Sequence, residues 1–297
     1  MLSRLLRRLL LGLILGGALL GWLIARQLGV TAWLAAVTAV GLPLLTILLV
    51  AITTAIKSRA SGANALWWRS LLCEYWADIR VFLLQLPWAR APTVMLPATT
   101  APVGVPVVLV HGYVCNHRVW DAMAIQLRRA GHPVLAVDRE PVFTSIDRYA
   151  PLVDQAVTAL CRQTGSDKVV LIGHSMGGLA IRAWMRAHGS ARVARVITLG
   201  TPHAGTRIAS LTKTENGIQM GWRSTWLQEL AATETASTRR LMRIALTPQD
   251  NIVYPQREQV LEGVPVTVFD GLGHLELCLH RAVIDWVLRQ LDDVTRH

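Results

Sequence analysis

Ser175 stands in the run Gly173-His174-Ser175-Met176-Gly177-Gly178, a serine between two glycines at the spacing G-x-S-x-G. A serine hydroxyl is a poor nucleophile until a base takes its proton. The base needs a carboxylate to fix its tautomer and stabilise its charged form. Of nine histidines, His274, His280 and His297 follow both Ser175 and the best-placed acid. His280 falls inside a predicted terminal helix, Leu275–Leu291, and His297 lies past it. His274 sits in the turn after the last predicted strand. Asp250 follows the run that ends near Leu246. Its competitor Asp270 ends the same strand that precedes His274, and Glu215, Glu229 and Glu234 read as surface charges in a long intervening segment. Ser175, His274 and Asp250 in those roles would do acyl transfer through an acyl-enzyme, with the amide of Met176 as one donor to the oxyanion.

These residues need a scaffold that brings them to one edge. From Pro106 on, short apolar runs (106–112, 132–138, 168–173, 195–200, 242–246 and 264–270) read as strands. Helical patterns at Arg118–Ala130, Ser145–Gln163 and Met176–His188 fall between the first four. Strand and helix alternating in this way predict an α/β fold with a mostly parallel sheet covered on both faces. Ligands bind such sheets outside the carboxyl ends of the strands. Ser175 then lies on a strand–turn–helix, with its oxygen presented above the sheet.

The motifs "VHGY" (110–113), "GHSMGG" (173–178), "LGTPHAG" (199–205), "QDNIV" around Asp250 and "GLGHLEL" (271–277) together resemble the α/β-hydrolase superfamily, most of all its bacterial lipases and esterases. The order nucleophile, acid, histidine agrees. The resemblance implies Tyr113 as the second oxyanion donor. It also implies a lid or cap at about 205–241 that covers Ser175, with a crossover helix packed on the sheet as the other reading of that segment. His111 would shape the oxyanion loop or act as a structural histidine. His203 reads as a structural hydrogen-bonding histidine. His111, Cys115 and His117 fit no common zinc spacing and read as residues at a pocket mouth. No metal and no cofactor are expected.

The N-terminal part has another character. Residues 1–60 hold no acidic residue and six basic ones, so over half of the net charge of +11 sits there. No basic stripe with interleaved aromatics follows, which argues against nucleic acid as a partner. Leu9–Ala25 and Val30–Ile56 are apolar runs of 17 and 27 residues joined by four residues, the pattern of a transmembrane helical hairpin. The flanks read as retained anchors and not as a cleaved signal peptide. Gly12/Gly16 and Gly17/Gly21 are spaced for close helix approach, or are simply common in membrane segments. Basic residues at both outer ends predict a bacterial inner-membrane location with the catalytic domain facing the cytoplasm. Leu66–Trp88 has helical spacing and four tryptophans. It reads as an amphipathic helix at the membrane interface or as one packed on the domain. The expected organisation is a hairpin (1–60), a Trp-rich helix and Pro-rich linker (61–105) and a catalytic domain (106–297). The function this predicts is membrane-anchored hydrolysis of esters or lipids. Acyl transfer, thioester cleavage and a non-catalytic binding module are the alternatives.

Overall fold

In a computed structural model, residues 1–31, 33–59, 65–96 and 104–295 are described. The linker segment 97–103 and His297 lie outside the described residues. Strands β1 (Val107–Val110), β2 (Val134–Val137), β3 (Val169–His174), β4 (Val193–Leu199), β5 (Met242–Leu246) and β6 (Val266–Val268) form one parallel sheet. Their order is β2-β1-β3-β4-β5-β6. The chain reverses its direction of winding between β1 and β3, which opens a crevice at their carboxyl ends. Every residue of β1 and β3 is buried. That is why these strands read as unbroken apolar runs and not as alternating ones.

Alternate residues feed two cores. Val108 and Val110 join the face covered by α5 (Ala150–Thr164) and α6 (Met176–His188); Val107 and Leu109 join the face covered by α4 (Asp121–Arg129). The second face also holds α10 (Glu276–Leu279) and α11 (Arg281–Thr295). The predicted helix Leu275–Leu291 is broken at His280, whose extended ψ of 133° ends α10. Helices α4 and α5 each start with a 3-10 turn, at His117–Trp120 and Ile146–Tyr149.

Helices α1 (Leu2–Leu28) and α2 (Trp33–Ser58) pack as a hairpin, and both are long and apolar enough to cross a membrane. Of the four spaced glycines, Gly17 and Gly21 face α2, where an added Cβ would overlap the backbone or side chain of Thr38. The Thr38 hydroxyl bonds across the hairpin to the Gly17 carbonyl at 2.6 Å. Gly12 and Gly16 face open space. Both outer ends of the hairpin dock on the domain. The Leu2 amide donates to Glu140 (2.7 Å) and Arg7 to the Pro87 carbonyl (3.0 Å), while Gln256 donates to the Ser58 carbonyl (3.0 Å).

The Trp-rich segment forms α3 (Ala65–Asp78), continued by a π-helical turn (Ile79–Gln85) and a 3-10 turn (Leu86–Trp88). It packs on the domain through a mixed face, with Ala77, Val81 and Leu86 in the core. Ser70, Glu74, Ala77 and Val81 are buried, while Trp68, Leu72, Trp76, Leu84 and Trp88 form an exposed stripe.

Candidate active site

Ser175 caps the amino end of α6 with φ 54° and ψ −130°, a backbone conformation that non-glycine residues rarely hold. The Ser175 amide donates to the Leu199 carbonyl (2.9 Å), and the Gly178 amide to the Ser175 carbonyl (3.1 Å). A side chain at Gly177 would overlap the carbonyl oxygens of Val110 and His111, so α6 can meet the end of β1 only with glycine there. A Cβ placed on Gly112 would stand 2.9 Å from the Ser175 Cβ, so the loop after β1 lies directly against the serine. Met176 opens α6, and the first amides of a helix have no acceptor within it.

His274 and Asp250 come to the same edge from the loops after β6 and β5. The His274 Nδ1 lies 2.8 Å from the Asp250 Oδ2, and both side chains are buried. The other carboxylate oxygen of Asp250 accepts the amides of Ile252 (2.8 Å) and Val253 (2.7 Å). Asn251 accepts the His274 amide at 3.3 Å. His174 lies beside His274, with ring centroids 4.5 Å apart and the planes tilted by 45°, and burial holds its pKa well below the ordinary value. It is a neutral neighbour to the His274 ring.

The loop after β1 is held by Arg139, which the sequence reading did not single out. Its buried guanidinium donates to the carbonyls of His111 and Gly112, the latter at 2.9 Å, and lies over the Tyr149 ring at 4.7 Å. A trans peptide points its N–H opposite its C=O. Tying the Gly112 carbonyl to Arg139 therefore turns the Tyr113 amide away from Arg139. His111 takes the Arg139 amide on Nε2 (3.2 Å), and burial with the nearby guanidinium pushes its pKa down to about 3.

Ser175, His274, Gly112 and Tyr113 line a cavity of about 220 Å³. Its remaining wall differs from the sequence-based expectation. No residue of 205–241 lines it. That segment forms a 3-10 turn (Arg207–Leu211) and α7 (Glu215–Gln219), α8 (Thr225–Ala232) and α9 (Ala236–Arg240). Ala209, Met220 and Leu227 bury it in the core beside α5 and α6. It reaches the site loop through Thr214, 3.4 Å from the Tyr113 hydroxyl. The wall comes instead from Val50 and Thr54 of α2, Glu74 and Asp78 of α3, and Phe82 beyond it.

Glu74 is only 2% exposed. It accepts the amides of Leu275 (2.7 Å) and Glu276 (3.2 Å), so it holds the chain immediately after His274. Burial, and then the neighbouring Asp78, push its carboxyl well above the usual range. Burial likewise raises Asp78 to about 7, against a lowering influence from His274. The sequence held a signal for this pair. They are its first two acidic residues, four apart in a tryptophan-rich helical run.

Other candidates fall elsewhere. Asp270 is exposed, and so are Glu215 and Glu229. Glu234 is not a surface charge; it pairs with the buried Arg182 at 2.5 Å, where two opposite charges satisfy each other away from water. His203 sits between Thr198 (3.0 Å) and Arg182 (3.4 Å), away from the cavity. Cys115 lines the cavity, with its thiol pushed up to about 12 by burial, and His117 pairs with Asp138 at 2.9 Å.

A family model described as the alpha/beta hydrolase fold matches residues 105–242, beginning after the N-terminal helices. A triacylglycerol lipase from Burkholderia plantarii is 32% identical over 137 residues, 43% of this chain and 38% of that protein. One from Pseudarthrobacter phenanthrenivorans is 33% identical over 124 residues, 39% and 38% of the two chains. The matched stretch thus spans well under half the length of either relative. Among solved structures, the mature form of a Bacillus licheniformis lipase superposes with a TM-score of 0.59 at 17% identity. It covers 68% of this chain and 98% of that one, a likeness of fold. The parallel sheet, the family match over residues 105–242 and the superposition converge on the α/β-hydrolase fold, and over the matched stretch the chain is similar to lipases.

Proposed function

We propose that this protein is a membrane-anchored serine hydrolase of carboxylic esters. Ser175 attacks the ester carbonyl as His274 takes its proton, and Asp250 holds the imidazole and stabilises its charge. The amides of Tyr113 and Met176 receive the oxyanion. His274 returns its proton to the leaving alcohol, and water, activated by the same histidine, releases the acid from the acyl-enzyme. The observation that carries this reading is the buried 2.8 Å pair of His274 and Asp250 beside a serine held at positive φ on the same cavity.

Residues 1–60 serve as the anchor. Both ends of the hairpin dock on one domain, which supports placing that domain and both ends on one side of the bilayer. The basic flanks assign that side to the cytoplasm. Cysteine labelling just after α2, blocked by a reagent confined to the inside, checks the orientation.

Ser175→Ala should lower turnover of a p-nitrophenyl ester by about 10⁴-fold or more and abolish labelling by a fluorophosphonate. Undiminished turnover would overturn the reading.

A further inference from the structure

The cavity beside Ser175 is not enclosed by the hydrolase domain alone. Within a single turn, α2 passes from outside to inside: Val50 is 55% exposed and Thr54 is 8% exposed, yet both line the cavity. Thr54 is fixed there by Asn251, whose Nδ2 donates to its hydroxyl at 3.1 Å. Asn251 adjoins Asp250 and accepts the His274 amide. The helix is therefore registered on the catalytic loop, and the same helix is long and apolar enough to cross a membrane.

Three features describe what fits. Most of the cavity's lining surface is apolar, with Val50 on α2 and Phe82 beyond α3 contributing to it beside the carboxyls of Glu74 and Asp78. The volume, about 220 Å³, is below the roughly 300 Å³ of the smallest usual small-molecule sites. A long chain must therefore extend past the mouth. Val50 lines the cavity and is itself exposed, and α2 carries further exposed apolar side chains, Leu45 and Leu49, a surface that matches hydrocarbon and not water.

We infer that α2 is part of the substrate site: Val50 and Thr54 form the wall along which the acyl chain of a bilayer lipid ester reaches Ser175 sideways from the membrane. This rests on the hydrolase reading above and adds to it a substrate class and the residues that select it. A chain moving along Leu45, Leu49 and Val50 stays in apolar surroundings until its ester meets Ser175 and His274. A short ester needs only the inner part of the cavity.

The test uses the full chain in detergent micelles, with p-nitrophenyl acetate and p-nitrophenyl palmitate as substrates. Val50→Trp places a large ring at the mouth, on an exposed position where the fold can accept it. Ile56→Trp, at an exposed position of the same helix that does not line the cavity, is the control. Val50→Trp should lower the ratio of kcat/KM for the palmitate to that for the acetate by about tenfold or more, whereas Ile56→Trp should leave that ratio and the acetate activity within about twofold of wild type. An unchanged palmitate-to-acetate ratio in Val50→Trp would overturn the inference while leaving the hydrolase reading intact. Equal loss of both esters would also overturn it, because the block would not discriminate chain length. Wild-type protein that cleaves neither ester would remove the hydrolase reading and this inference together.

Discussion

Two walls meet at the same cavity and are built on opposite logic. The sheet-edge wall, from Gly112 to Ser175 and on to Asp250 and His274, is over-determined. Strained backbone at Ser175, glycine at a backbone contact and a buried arginine on two carbonyls leave it one arrangement. The helical wall, from α2 and α3, mixes buried carboxyls with apolar contacts and leaves an apolar stripe outside. Trp68, Leu72, Trp76, Leu84 and Trp88 are exposed, while Glu74 and Asp78 line the cavity. An apolar stripe facing outward is stable only against a non-aqueous partner, whereas a buried carboxyl is stable when it is neutral or hydrogen-bonded. The contrast teaches that hydrophobic periodicity reports which face avoids water, not which face meets the protein.

Removing the clamp on the sheet-edge wall should have the largest effect. Arg139→Met keeps the length and the apolar contact of the side chain but frees the His111 and Gly112 carbonyls. The Tyr113 amide would lose its aim, and kcat should fall by about 10²–10³-fold with little change in KM. Steady-state kinetics on one ester decide this. Near-wild-type kcat would mean that the loop is held without Arg139.

The helical wall should respond less, and through stability. Glu74→Ala leaves the Leu275 and Glu276 amides buried without an acceptor, a loss of about 1–3 kcal/mol in denaturant unfolding. Glu74→Gln keeps one acceptor oxygen, enough for the closer Leu275 amide but not for the Glu276 amide as well, so it should cost less than Glu74→Ala, about 1 kcal/mol. Equal losses in the two variants would show that the charge, and not the hydrogen bond, is what the site requires.

The helical wall should also give a pH dependence, at Asp78. Its folded-state pKa, raised to about 7 by burial, exceeds that of the unfolded chain, so the folded protein holds this proton longer. The stability is full below about pH 4 and is lost progressively as the pH rises toward the folded-state value. Asp78→Asn removes that loss. Its Tm relative to wild type should therefore rise between about pH 4 and about pH 8, as followed by thermal melts. A difference independent of pH would mean that Asp78 is not held protonated in the fold.

Much of the hydrolase domain was legible because its determinants are local. Strands buried on both faces write themselves as apolar runs, and a serine at a strand-to-helix turn requires glycine at its neighbours whatever surrounds it. The same locality explains what was misread. Glu234 has the composition of a surface charge, and only the approach of Arg182 from α6 makes it a buried partner. Arg139 follows β2 without any motif of its own, and its value lies in carbonyls 27 and 28 residues earlier in the chain.

The segment 205–241 shows the limit most plainly. Its length and tryptophans suit a cover, but its apolar residues are used against α5 and α6, and the cover is supplied by helices more than 90 residues earlier than Ser175. Residue types and spacing by themselves determined the parallel sheet, the strand–turn–helix at Ser175, the candidates His274 and Asp250, and two apolar helices ahead of them. Only the tertiary structure decided that α2 and α3 wall the cavity and that Glu74 steadies the loop after His274. Those contacts join positions some 200 residues apart, as the 201-residue separation of Glu74 and Leu275 illustrates. No local propensity encodes such a pairing; it follows from where packing places each helix on the sheet.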